Sequence, residues 1–189
     1  MIYTLEELQQ ECRKGNRHSL LLFYGHTQPP GGAVNQGCLS QWWMRPFTVD
    51  GVTYSCAEQY MMAGKARLFN DEKALSAIMS ARDPRTMKRH GRSVRDFKDS
   101  VWEEHRQRIV MEANRAKFGQ NPDLLAFLLG TKGRILAEAS PSDRIWGIGM
   151  AKGDPGADDP LRWRGKNLLG FALTEVRDEL MKEGARDQG

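Results

Sequence analysis

The sequence predicts a mainly α-helical α+β fold, a single domain with a few short strands. Three observations carry this expectation. The chain's 189 residues suit one core better than two. Capping residues followed by apolar side chains at three- and four-residue spacing recur along it, as amphipathic helices require. The runs that suit strands are few and short. Hydrophobic residues make up 40% of the chain and 19 glycines raise the apolar share further, close to that of folded globular chains, so a disordered chain is not expected.

Thr4 and Glu7 form a capping box, Leu5, Leu8 and Cys12 follow at helical spacing, and Gly15 can close a short first helix. Ser19 to Tyr24 is a compact apolar run, and the Gly-, Pro-, Asn- and Gln-rich stretch after it reads as an irregular loop as far as Gly37. Phe47 to Tyr54 alternates about Asp50-Gly51, a dipeptide that tolerates the positive φ angles of a tight hairpin. Ser55 to Glu58 reads as a second capping box, opening a helix with Tyr60, Met61, Ala63 and Leu68 on an apolar face. Helices follow over Asp71 to Ala81, Pro84 to Arg92, Ser100 to Phe118 and Pro122 to Leu129, the last with Asn121 as cap and Pro122 at its first position. Arg134 to Glu138 suits a strand, Gly147 to Gly156 an irregular segment, and Asn167 to Lys182 a final helix before a frayed polar end from Glu183.

Lys and Arg number 28 against 24 Asp and Glu, a formal charge of +4 that favours anionic partners without demanding a nucleic acid. Cys12, Cys38 and Cys56 are an odd number with no CxxC, so neither a disulfide framework nor a zinc site is expected, and a reducing cytoplasm fits. The first ten residues lack a basic start and apolar stretch, and the longest apolar run is far short of the roughly 20 residues of a membrane span. A cytoplasmic location with no membrane partner is therefore expected.

Four features can carry chemistry. Glu58 and Lys65 share one helix face about 10 Å apart along the axis. Near an electrophilic sugar carbon they supply a carboxylate for proton transfer and an amine that burial makes nucleophilic; read alone, they are a helix cap and a solvated lysine. Arg82 to Lys98 carries a net +5, including Arg89 and Arg92: converging arginines bind phosphate, whereas dispersed ones solvate a helix. Trp42, Trp43 and Trp146 flank glycine-rich loops, where an indole can stack on a planar base, although buried tryptophans are commonly core. Asp143 reads equally as a turn cap or an acid. No dinucleotide fingerprint, P-loop or nucleophile elbow occurs, and His18, His26, His90 and His105 show no metal-ligand spacing, so neither metal nor cofactor is expected.

Taken together, the motifs resemble the NADAR family, also described as YbiA-like. They are Phe23-Tyr24-Gly25-His26, Leu39-Ser40-Gln41-Trp42, Pro46-Phe47 with Asp50-Gly51, Ala57-Glu58-Gln59-Tyr60-Met61-Met62-Ala63 with Lys65-Ala66, Gly91-Arg92, Trp102, Lys117-Phe118, Glu138-Ala139-Ser140-Pro141 with Asp143, Trp146-Gly147-Ile148-Gly149, and Trp163 with Gly165 and Asn167-Leu168-Leu169-Gly170. On this resemblance, residues 1–22 are an N-terminal helix and strand lead-in, 23–182 the NADAR domain and 183–189 a flexible tail.

The resemblance implies hydrolysis of an N-glycosidic bond between ribose C1 and a base nitrogen. The substrate it implies is an early riboflavin-pathway intermediate, a ribosylamino-pyrimidine phosphate, or else ADP-ribose attached to guanine in nucleic acid. Catalytic weight falls on Glu58, and with it Lys65, Trp102 and Asp143. The implied substrate contacts are Tyr24, Gly25, Ser40, Gln41, Trp42, Arg89, Arg92, Trp146, Gly147 and Asn167. This chain has Gln59 where some members have His, Gly64 where Gln or Glu is common, and Ile148 where others carry an acid. The competing readings are a non-catalytic ADP-ribose or nucleotide-binding module and a nucleic-acid-binding domain, the latter lacking a recognisable motif.

Overall fold

The computed structural model describes residues 1–186. Among them are seven α-helices: α1 Leu5–Arg13, α2 Ala57–Leu68, α3 Glu72–Ser80, α4 Pro84–Arg92, α5 Asp99–Gly119, α6 Pro122–Leu129 and α7 Leu168–Arg186. Four short strands accompany them: β1 Leu20–Phe23, β2 Phe47–Val49, β3 Val52–Tyr54 and β4 Ile135–Glu138. The expected α+β, mainly helical class is thus the observed one. Contacts divide the chain into two compact units, residues 1–40 with those from 126 onward, and residues 41–125.

In the first unit, β1 and β4 pair in parallel with Leu20 opposite Ile135 and Phe23 opposite Glu138. α7 packs on β4, fixed by Thr174 Oγ1, which accepts from Leu136 N at 3.1 Å. Arg177, 3% exposed, donates to the carbonyls of Thr131 and Arg134. Leu8 of α1, Ala137, Ile148, Trp163 and Phe171 meet in the core. The capping box at Thr4 and Glu7 is present. The final helix runs to Arg186, four residues beyond the expected end at Lys182; the remainder of the expected tail, 187–189, lies outside the described residues.

In the second unit, β2 and β3 form the expected hairpin. Asp50 and Gly51 both take positive φ, 50° and 76°, the pair of left-handed residues that a two-residue turn needs. α2 packs against α3, α4 and α5. The α2–α4 approach is close: a Cβ on Gly91 would overlap Met62 Sδ.

One local expectation is overturned here. The capping box at Ser55 does not form; α2 begins one residue later, with Cys56 as a cap that makes no side-chain hydrogen bond. The reason is Gln59. Its Oε1 accepts from Ser55 N at 2.8 Å and Ser55 Oγ at 3.0 Å, while its Nε2 donates to Ile78 O and Met79 O at the end of α3. An amide satisfies both sides of that junction, which a carboxylate cannot. Glu58 therefore takes no part in a capping box with Ser55.

Candidate functional site

Side chains on α2 separate onto two faces. Glu58, Met62 and Lys65 recur at four and three residues and share one. Tyr60, Gly64 and Arg67 share the opposite one, where with Tyr54, Arg108 and Glu112 they line a cavity of about 510 Å³. That cavity contains none of the residues on which the sequence places chemistry.

Glu58 is 2% exposed. Counting from Cys56 it is the second residue of its helix, and its N–H donates to Gln41 O at 2.9 Å. Gln41 is buried as well, and its Oε1 accepts from Asn114 Nδ2 at 2.8 Å. Asn114 and Lys117 stand three residues apart on α5, both at 0% exposure. Beside them the Cys56 thiol is pushed up to about 11, chiefly by burial, and the charges of Glu58 and Lys117 act on it in opposite directions. Burial deep enough to shift a thiol this far also magnifies charge–charge interactions.

Two turns along α2, Lys65 is half-buried between aromatic rings. Its Nζ lies 4.0 Å from the centre of the Phe97 ring and 5.8 Å from that of Trp102. Its pKa is lowered, first by burial and further by Arg92, with Asp99 opposing. Trp102, 9% exposed, comes from the first turn of α5. Burial therefore favours the neutral, nucleophilic amine, which the sequence could only state as a requirement.

The basic segment resolves into two parts. Arg85, Lys88, Arg89 and Arg92 fall on one face of α4 at three- and four-residue spacing, opposite the buried Met87 and Gly91. Lys88 Nζ lies 5.8 Å from the Trp42 ring, and Arg89 and Arg92 are exposed. Arg95 is different. Its backbone N–H and guanidinium are held by Asp71 at 2.9 and 3.2–3.3 Å, and these bonds with that of Ala74 N–H hold the Asp71 carboxyl down to about 2. Arg95 thus ties its loop to the start of α3.

The other expected residues belong to the first unit. Tyr24 is 62% exposed and precedes Gly25, whose φ is 83°; Ser40 is buried. Asp143 Oδ1 accepts from Ile145 N at 2.9 Å and Trp146 N at 2.8 Å. This is the turn-capping geometry, and it fixes the backbone of the turn that carries the half-buried Trp146. Gly147 is packed so closely that a Cβ there would sit 2.8 Å from Glu138 O. Asn167, fully buried with φ 53°, spends its amide on β4: Oδ1 accepts from Glu138 N and Nδ2 donates to Leu136 O, both at 3.0 Å. Both polar atoms of that side chain are thus engaged with β4.

The structure thus groups Gln41 with Glu58, Lys65 with Trp102, and Trp42 with the α4 stripe, all in one unit. Sequence reasoning missed Phe97, Asn114 and the role of Lys117. A signal for Lys117 existed: Val110, Ala113, Asn114 and Lys117 fall on one helical stripe, the buried one. Among the described residues no group of three or more His, Cys, Asp or Glu is placed to hold a metal ion, and no helix is long and apolar enough to cross a membrane.

Comparisons with known proteins bear on the family and the fold. The model of the NADAR domain matches residues 22–181. N-glycosidase R617 of Acanthamoeba polyphaga mimivirus is 47% identical over 126 residues, covering 67% of this chain and 74% of the viral protein. N-glycosidase YbiA of Escherichia coli (strain K12) is 33% identical over 165 residues, 87% of this chain and 91% of its own. The NMR structure of the E. coli protein YbiA superposes with a TM-score of 0.71 at 29% identity, covering 90% of this chain and 89% of that one. The riboflavin biosynthesis protein PYRR of Arabidopsis thaliana is 33% identical over 112 residues, 57% of this chain but only 17% of the plant protein.

Proposed function

The chain belongs to the NADAR family, and on that premise we propose that it hydrolyses the bond between ribose C1 and nitrogen in a ribosylamino-pyrimidine phosphate, an early intermediate of riboflavin biosynthesis. It is a hydrolase acting on N-glycosyl bonds, as are the relatives named N-glycosidase. The likeness to PYRR supports the pyrimidine substrate. The observation that carries the catalytic reading is Glu58: it is a buried carboxylate outside the expected Ser55 capping box, on the same α2 face as an amine whose pKa burial lowers.

Cleavage of C1–N develops oxocarbenium character at C1. Glu58 stabilises that charge or transfers the proton that the departing nitrogen gains. Neutral Lys65 attacks C1; the C1–N electron pair leaves with the base, which is protonated. Opening of the C1–O4 bond then gives a Schiff base, and water adds at C1 to release the sugar and regenerate the amine. Trp102 and Phe97 keep water from Lys65, and Trp42 offers a stacking face.

A second reading has its own observation. The four basic residues on one face of α4 form a positive stripe that suits a polyanion, which favours ADP-ribosylated guanine in nucleic acid. Chromatography of reactions with both substrates, at low and high salt, decides between them. The pyrimidine reading expects base release from the small phosphate with shallow salt dependence; a steep, salt-sensitive preference for the DNA-linked substrate reverses the order. Binding of ADP-ribose with no cleavage of either returns the chain to a binding module.

Arg89→Ala and Arg92→Ala are expected to raise KM about tenfold, the loss of one charge-assisted hydrogen bond to phosphate, with the melting temperature little changed. An unchanged KM and salt dependence in both variants would make the α4 stripe a solvated face.

A further inference from the structure

Lys117 has no exposed surface. An ammonium so buried is costly unless a negative charge lies against it. The second unit, all of it described, holds two buried carboxylates, Asp71 at 3% and Glu58 at 2% exposure. Asp71 is committed to Arg95 and to the backbone of Ala74. Glu58 is the other, and Lys117 Nζ itself lies 4.9 Å from the Phe118 ring. Gln41 joins the two helices there, accepting from Glu58 N–H through its carbonyl and from Asn114 through its side chain, one turn of α5 from Lys117. Cys56, the cap of α2, senses both charges.

We propose that Lys117 is a positioning residue: its ammonium is the internal counter-charge that keeps Glu58 ionised and fixed at the start of α2, with Gln41 and Asn114 setting the spacing between the helices. Lys117 is too buried to meet substrate and acts through Glu58, so its catalytic consequence rests on the assignment of Glu58 above. The arrangement also gives the two lysines different tasks. Lys65, half-buried beside exposed Phe97, can reach a sugar carbon; Lys117 cannot.

The test is a double-mutant cycle of Lys117→Met and Glu58→Gln, read by melting temperature and by steady-state kinetics. Each single variant leaves one buried partner unbalanced and lowers the melting temperature by roughly 10 °C. The double variant, neutral at both positions, loses clearly less than the sum of the two. If Lys117→Met alone does not fold, recovery of a folded protein on adding Glu58→Gln is the same result. In kinetics Lys117→Met lowers kcat at least tenfold with KM within about threefold, and adds no further loss to Glu58→Gln. In Lys117→Ala, propylammonium restores kcat severalfold and 1-propanol, of similar shape but neutral, does not. Additive melting losses, an unfolded double variant, or equal rescue by 1-propanol would overturn the pairing. Coupled melting losses beside a fully active Glu58→Gln would keep the pairing and discard Glu58 as the reacting carboxylate.

Discussion

Replacing Glu58 with Gln is expected to lower turnover about 100-fold or more, the scale of losing a general acid or base, while the protein stays folded at assay temperature. The substitution keeps shape and the ability to accept a hydrogen bond, so it separates charge from packing. Had Glu58 been part of a capping box, the amide would have served nearly as well. The structure removes that alternative: Gln59 bonds to Ser55, and Glu58 is inside with Gln41 against its backbone. Circular dichroism beside single-turnover kinetics checks both halves. Activity within threefold of the wild type would remove Glu58 from the chemistry.

Lys65→Ala is expected to have an effect as large, and it carries a chemical signature. Borohydride added during turnover should attach a reduced sugar to the wild type at Lys65, detectable by peptide mass, and the variant should give none. The pH dependence has a definite sign. Only the neutral amine attacks, so the rate rises with pH through the Lys65 pKa, which burial and Arg92 place below that of an ordinary lysine. Asp99 opposes this shift; Asp99→Asn should therefore move the limb to lower pH, and Arg92→Ala should move it to higher pH. A limb that ignores both substitutions, with no adduct in active wild type, would leave direct attack by water in place of the covalent step.

Local features of the fold were legible because local chemistry sets them. Thr4 with Glu7 marks the start of α1, and Asp50-Gly51 sets the β2–β3 turn. Both are governed by residues within four positions of each other. The β1–β4 pairing joins segments more than a hundred residues apart, and no periodicity within either strand names its partner. The Ser55 box failed for a related reason: Gln59 reaches the end of α3, a tertiary demand that outweighs a one-residue choice of cap. In the site, Glu58, Lys65 and Trp102 carried a residue-level signal through their spacing and motifs. Asn167 and Arg95 were legible as motif or charge but not in the contacts they make, since an amide folded onto β4 and a guanidinium held by Asp71 depend on partners distant in sequence. Lys117 had a motif and a stripe, but a lysine on a buried helix face acquires meaning only once a buried acid is found beside it.

The central claim is that this chain breaks the ribose C1–N bond of a ribosylamino-pyrimidine phosphate, and the most direct measurement is the stoichiometry of the products. The purified protein, in chelator and without added cofactor, should release free aminopyrimidine and ribose phosphate one to one, at a rate that Glu58→Gln reduces about 100-fold or more. Substrate recovered intact from the protein, with binding demonstrated by calorimetry, would contradict that claim.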